Sequence, residues 1–85
     1  MKPMKAKTEI LNALKEEIAR ETGMSVSQVD DDASFHSLGL DSISAIVVLD
    51  ELERRLRIEM NPMFFWDYPT VRLLADHINS LNHHG

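Results

Sequence analysis

Three stretches of this 85-residue chain repeat apolar residues at the three- and four-residue spacing of an amphipathic α-helix. The stripes are Ile10, Leu11, Leu14 and Ile18; Ala45, Leu49, Leu52 and Leu56, flanked by Ile46 and Val48; and Val71, Leu74, Ala75, Ile78 and Leu81. Each stripe must be buried against another element, and a chain this short offers only the other helices. We therefore predict an all-α fold: an antiparallel four-helix bundle with three long helices, one short helix, and a long loop between the first two.

Capping residues set the predicted limits of the helices. Two starts are considered for the first helix, one with Thr8 as its N-cap and one as early as Met4, and Gly23 suits the position after its end. The second helix is predicted from Ser42 to about Arg57. Pro62 suits the first position of the short third helix, and Thr70 is the predicted N-cap of the fourth helix.

The predicted domain occupies residues 8–81. Residues 1–7 carry three lysines around a proline and are expected to be a flexible segment. Residues 82–85 are expected to be a flexible tail, in which the adjacent His83 and His84 lack the one-face spacing of metal ligands on a helix.

Residues 24–41 are dense in serine, aspartate and glycine, which favour turns. So long a loop needs apolar anchors, and Val29, Phe35 and Leu38 are the candidates. The run of acidic residues at 30–32 is interpreted as a solvated turn, because the alternating ligands and terminal glutamate of a calcium loop are missing.

An aromatic run follows the second helix. Phe65 and Trp66 are expected to be mostly buried as part of the core, with one of Met63 and Phe64 nearer the surface. Within the second helix, an ion pair is expected between Glu51 and Arg55.

Charge and composition exclude several functions. The formal net charge is −5, from 14 acidic and 9 basic residues, and an acidic chain without a basic stripe is repelled by nucleic acid. No apolar run approaches the roughly 20 residues of a membrane span, and no signal-peptide pattern opens the chain, so a cytoplasmic monomer without a membrane partner is expected. Cysteine is absent, so any thiol chemistry must use a group added from outside.

The segment from Leu38 to Ile43 joins the loop to the second helix. Gly39 permits a tight approach to the helix start, and Asp41 is a good N-cap. Ser42 then lies in the first turn with its hydroxyl at the surface. The free N–H groups and positive dipole end of that turn favour a phosphate.

This segment, Leu38-Gly39-Leu40-Asp41-Ser42-Ile43, resembles the signature of the acyl carrier proteins. The segment Asp67-Tyr68-Pro69-Thr70-Val71 resembles the element before the last helix of polyketide-synthase carriers, at the usual separation. The resemblance implies that Ser42 bears 4′-phosphopantetheine transferred from coenzyme A, with Gly39, Leu40 and Asp41 shaping the site.

The second helix of that family is its main surface for partner enzymes. The resemblance therefore implies partner contacts at Ile43, Ser44, Val47, Asp50 and Arg54. Val47 is expected to be an exposed contact residue, whereas Ile43 either contributes to the same patch or packs under the loop.

The implied function is to carry acyl or polyketide intermediates as thioesters and to present them to biosynthetic enzymes. The implied partners are a phosphopantetheinyl transferase and synthase enzymes such as ketosynthases and acyltransferases, bound transiently. The chain is not expected to be an enzyme, because neither His36 nor His77 forms an evident triad with Ser42.

Three alternatives stay open. One is a peptidyl carrier, although Leu40 replaces the second glycine typical of that class. Another is an unmodified helical interaction domain, and the third is a helix-turn-helix DNA binder, which the acidic charge disfavours. Val48 stands where carriers devoted to β-branching often have tryptophan, so that specialisation is not supported.

Overall fold

The computed structural model describes residues 6–84, and within that range the fold is all-α. The helices are α1 (Lys7–Thr22), α2 (Ser42–Leu56), α3 (Phe64–Asp67) and α4 (Val71–His84), with a 3₁₀ turn at Val26–Gln28. The predicted bundle of three long helices and one short helix is confirmed. Between residues 6 and 84, the one β-type pairing is an isolated antiparallel bridge between Ser34 and Thr70.

The three apolar stripes form one core. α1 packs against both α2 and α4. The largest fully buried side chains are Ile10, Leu14, Ile18, Leu52, Leu74, Ile78, Val29, Val48 and Val71. Burying a side chain of this size stabilises the fold by about 1.5–3 kcal/mol, so these residues supply a large part of the hydrophobic stabilisation.

Ion pairs show that α1 and α4 are antiparallel. Lys7 lies 3.1 Å from Asp76, and Asp31 bridges Lys15 of α1 and Arg72 of α4. The residue numbers thus rise along one helix as they fall along the other.

The ends of the first two helices follow their capping residues, with one correction. Gly23 has φ 81° and donates its N–H to the carbonyl of Ala19, as expected of a residue that ends a helix. The prediction of Thr8 as N-cap is wrong: α1 begins at Lys7 after Ala6, which makes no side-chain cap bond. α2 ends at Leu56, and Arg57 takes the left-handed conformation with φ 59°.

The short helix begins two residues later than the proline suggested. The side chain of Asn61 accepts a hydrogen bond from the N–H of Met63 at 2.9 Å, and its carbonyl accepts one from Phe64 at 2.9 Å. This turn contains Pro62, so the helix starts only at Phe64.

The last helix is capped as predicted but is longer. The hydroxyl of Thr70 accepts a hydrogen bond from the N–H of Leu73 at 3.2 Å. α4 continues to His84, into residues expected to be a tail. The division into a domain at 8–81 with flexible ends stays a prediction, and residues 1–5 lie outside the described residues.

The long loop is anchored by apolar side chains. Val29 and Phe35 are buried, as predicted, and Leu38 is half-buried against the core. Leu40 is buried too and was missed as an anchor. Its position next to Asp41 fixes the loop immediately before α2.

The acidic run at 30–32 is more than a solvated turn. Asp31 lies 2.6 Å from the ammonium of Lys15, and Asp32 lies 2.7 Å from the guanidinium of Arg72. Backbone hydrogen bonds join the same segments, from Phe35 to Pro69, Val71 to Ala33 and Arg72 to Asp31. We call this pairing of residues 31–35 with residues 69–72 the loop clasp.

A second set of ion pairs joins α1 to α2. The predicted ion pair between Glu51 and Arg55 is wrong. Arg55 pairs with Glu16 and Glu17 of α1, and the Glu17 side chain is only 5% exposed. Glu51 pairs instead with Arg54 at 2.8 Å. The guanidinium of Arg55 therefore reaches across from α2 to both carboxylates of α1.

Candidate functional site

The loop before α2 turns sharply to deliver Ser42. Gly39 has φ 85°, a conformation that residues with a Cβ rarely adopt, and its N–H bonds the carbonyl of His36 at 3.0 Å. The N–H of Leu40 donates a hydrogen bond to the carbonyl of Phe35 at 3.1 Å, and the Leu40 side chain is buried. The chain therefore enters α2 from a fixed turn.

Asp41 is the N-cap of α2, as predicted. Its Oδ1 accepts a hydrogen bond from the N–H of Ser44 at 2.8 Å. That hydrogen bond also holds the pKa of the Asp41 carboxyl below its usual value, because it favours the charged form. The negative charge complements the positive end of the helix dipole.

Ser42 is the first residue of α2 and is exposed. Among the hydrogen bonds of the described residues, none uses its hydroxyl. The hydroxyl is thus open to a modifying enzyme, and a phosphodiester placed on it lies at the positive end of a 15-residue helix. The residues present fit a covalently attached phosphate group.

Two clefts open beside Ser42. The larger, of about 370 Å³, is lined by Ser34, Phe35, His36, Leu40, Asp41, Ser42, Ala45, Phe65, Trp66 and Pro69. The smaller, of about 70 Å³, is lined by Ser42, Ala45, Ile46, Pro62, Phe65 and Trp66. Four residues line both clefts: Ser42, Ala45, Phe65 and Trp66.

The aromatic run only partly follows its prediction. Phe65 packs edge-on against Phe35, with ring centroids 4.5 Å apart, but it is half-buried. The prediction of a buried Trp66 is wrong, because its side chain is 71% exposed. Successive helical residues point about 100° apart, so with Phe64 and Phe65 on the core Trp66 must face outward. One of Met63 and Phe64 was predicted to lie nearer the surface, and Met63 is the exposed one.

The start of α2 presents aliphatic side chains to solvent. Ile43 is 75% exposed, so the interpretation that it packs under the loop is wrong. Val47 is exposed as expected, and Ile46, expected beside the core, is exposed as well. Of the remaining residues predicted to contact partners, Asp50 and Arg54 are exposed and Ser44 is half-buried.

Neither nearby histidine forms a catalytic arrangement with Ser42. His36 borders the larger cleft, but no hydrogen bond among residues 6–82 joins its imidazole to a serine or carboxylate. His77 stacks on Tyr68 with ring centroids 4.0 Å apart and borders neither cleft. In the part of the chain that the structure describes, no cluster of His, Cys, Asp or Glu is suited to hold a metal ion, and no helix is both long and apolar enough to cross a membrane.

The chain matches known proteins across this site. The model of the family described as "Phosphopantetheine attachment site" matches residues 12–78. Norsolorinic acid synthase of Dothistroma septosporum is 34% identical over 76 residues, which are 87% of this chain and 3% of that protein. Non-reducing polyketide synthase aptA of Emericella nidulans is 37% identical over 59 residues, 69% of this chain and 3% of that protein. The chain thus spans a small fraction of these relatives.

Solved structures share the fold. A free-standing peptidyl carrier protein from Acinetobacter baumannii superposes with a TM-score of 0.81 at 35% identity, covering 87% of this chain and 92% of that one. The HMG-ACPI domain of the CurA module from Lyngbya majuscula gives a TM-score of 0.82 at 27% identity, covering 100% of this chain and 90% of that one.

Proposed function

Because the chain belongs to the phosphopantetheine-attachment family, whose cofactor is covalently bound 4′-phosphopantetheine, we propose that it is a polyketide-type acyl carrier domain with Ser42 as its attachment residue. One observation carries the assignment of Ser42. Its exposed hydroxyl stands at the first position of α2, immediately after a cap that fixes the helix start. Gly39 and Leu40 hold the turn that presents it.

The chain's own residues have limited chemical roles. The hydroxyl of Ser42 attacks the pantetheine-bearing phosphorus of coenzyme A and gives its proton to a base of the transferase, which also supplies Mg²⁺. The new O–P bond replaces the phosphoanhydride bond, and adenosine 3′,5′-bisphosphate leaves. The dipole of α2 stabilises the resulting phosphodiester. The bound arm supplies the thiol, which this chain lacks, for thioester formation. On this proposal the domain is a carrier and not itself an enzyme.

The partners proposed are a phosphopantetheinyl transferase and the ketosynthase, acyltransferase and other domains of a polyketide or fatty-acid synthase. They would contact the exposed start of α2, through Ile43, Ser44, Val47, Asp50 and Arg54. This small, partly aliphatic patch suits weak, transient binding by a cytoplasmic monomer, since weak contacts at such patches release quickly. The carrier unit proposed spans residues 8–81.

A peptidyl carrier is the second candidate, favoured by the 35% identity to the Acinetobacter baumannii protein. Leu40 in place of a second glycine favours the acyl class. The two candidates differ in cargo rather than in the attachment site. Transfer of acyl or aminoacyl groups to the loaded protein by enzymes of each class would separate them.

The attachment site is tested by intact-protein mass spectrometry after incubation with a promiscuous phosphopantetheinyl transferase, coenzyme A and Mg²⁺. We expect the wild type to gain one phosphopantetheinyl group and Ser42→Ala to gain none. Ser27→Ala is the matched control, because this exposed serine lies in the 3₁₀ turn, outside the proposed partner contacts, and its loss should leave loading intact.

Two results would contradict the proposal. A mass gain by Ser42→Ala would move the attachment to another residue. No gain by a wild type whose circular dichroism shows a folded helical bundle would favour an unmodified interaction domain.

A further inference from the structure

Trp66 is unusual among the residues around Ser42. It is the only tryptophan in the sequence, and 71% of its side chain is exposed. A large exposed apolar side chain beside a cleft indicates a binding surface, and tryptophan combines apolar area with an N–H donor. Trp66 also lines both clefts that open at Ser42, together with Ala45 and Phe65, so a group attached to that serine can reach the indole through either cleft.

We propose that the pantetheine portion of the arm on Ser42 folds back into the larger cleft, between Trp66 and His36, instead of extending into solvent. This inference rests on the proposed function. It assigns Trp66 and His36 as binding residues for the arm, a role that neither the capping of α2 nor the packing of the core requires.

The cleft suits the chemistry of the arm. Its volume of about 370 Å³ lies within the roughly 300–1,000 Å³ of small-molecule sites. Phe35, Leu40 and Ala45 supply a buried apolar floor, whereas the rim carries the imidazole of His36. Pantetheine alternates methylene segments with amide and hydroxyl groups, so it can place carbon on the floor and polar groups at the rim.

His36 is free to take part. Its backbone carbonyl is occupied by Gly39, but within residues 6–82 its side chain makes no hydrogen bond or ion pair. Two other polar side chains of this cleft already accept hydrogen bonds, Ser34 from the N–H of Ser37 and Asp41 from the N–H of Ser44. The imidazole of His36 is therefore an open polar group in the same cleft as Trp66.

Attachment makes even a weak contact significant. A group joined through a short flexible link experiences an effective concentration in the millimolar range. With a dissociation constant near that value, about half of the molecules hold the arm in the cleft at any time. The arm then stays easy to withdraw when a partner enzyme binds, as a carrier requires.

A partner protein is the competing occupant, because the exposed Ile46 lines the smaller cleft together with Trp66. The single tryptophan distinguishes the two occupants in the absence of any partner. An arm in the cleft shields Trp66 in the loaded protein alone, whereas a surface used only by partners leaves Trp66 equally exposed before and after loading.

The test is acrylamide quenching of Trp66 fluorescence in the apo, holo and acylated protein, each checked by mass spectrometry. Loading uses coenzyme A, acetyl-coenzyme A or hexanoyl-coenzyme A as the donor. If about half of the molecules hold the arm, the quenching constant should fall by up to about twofold on loading, with a shift of emission to shorter wavelength. His36→Ala protein whose complete loading is verified by mass spectrometry should lose part of this protection.

The control moves the reporter. Leu73 is exposed on α4 and borders neither cleft, so Leu73→Trp combined with Trp66→Phe should show no change on loading. Complete loading with unchanged quenching in the wild type would overturn the inference and leave the proposed function standing. Absence of any mass gain would overturn both.

Discussion

At the scale of single residues, Asp41 serves both the fold and the site. Its carboxylate caps α2 through the N–H of Ser44, directly before the residue proposed for modification. Capping and charge are separable, because an asparagine side chain also accepts this hydrogen bond. Asp41 therefore offers a way to test the helix start without removing the serine.

We expect Asp41→Ala to lower the melting temperature at neutral pH and Asp41→Asn to lower it less, because asparagine keeps the hydrogen bond and loses only the charge. The pKa of Asp41 is lowered in the folded protein, so its stabilisation is present above the ordinary pKa of 3.8 and is lost as pH falls through the lower folded value. The gap between wild type and Asp41→Ala should therefore narrow in acid. Thermal melts followed by circular dichroism across this pH range test both points. Equal melting temperatures for the two variants at neutral pH would show that the cap contributes nothing.

At the scale of elements, the contact between α1 and α2 depends on charge as well as on the core. Arg55 reaches across to Glu17, which is buried, and to Glu16 beside it. Arg54, one residue earlier, pairs with Glu51 of its own helix, has no ion pair to another helix within residues 6–82, and is more exposed. Two neighbouring arginines thus differ in whether they join helices.

We expect Arg55→Ala to lower the free energy of unfolding by about 1–2 kcal/mol, because a buried carboxylate loses a charged hydrogen-bond partner. The loss should stay this small because Arg55 is partly exposed and because Arg20, 3.4 Å from Glu17, still neutralises part of the charge of that carboxylate. Arg54→Ala is the control and should cost about 0.3–0.5 kcal/mol. Urea denaturation measures both, and equal losses would mean that the pairs across the helices add nothing.

The three long helices could be predicted from the sequence, whereas the short one was placed less well. Stripes such as Ile10, Leu14 and Ile18 repeat over several turns, so periodicity identifies the buried face. α3 has only four residues, too few to show a period, and Trp66 was therefore placed inside. The loop clasp was missed for another reason: Asp32 and Arg72 are 40 residues apart, and local patterns carry no information on such pairs.

At the scale of the whole molecule, the predicted limits at 8–81 can be tested directly. We expect residues 8–81 alone to fold cooperatively and to accept the arm at Ser42, since the core and the loop clasp lie within them. The melting temperature should fall relative to the 85-residue chain, because α4 loses its last turn and α1 its first residue. Thermal unfolding and mass spectrometry of both proteins give the comparison. A shortened protein without a cooperative transition would require wider limits.

The direction of α4 has a mechanical consequence. Ser42 lies beside the segment that leads into α4, and the 14 residues of that helix carry its far end about 20 Å away. In any longer protein that continued from α4, the connection would leave from the end opposite to the cargo. The domain would then act as a rigid lever: its own length adds to the reach of the arm, and the cargo end approaches an enzyme without the connecting chain in between.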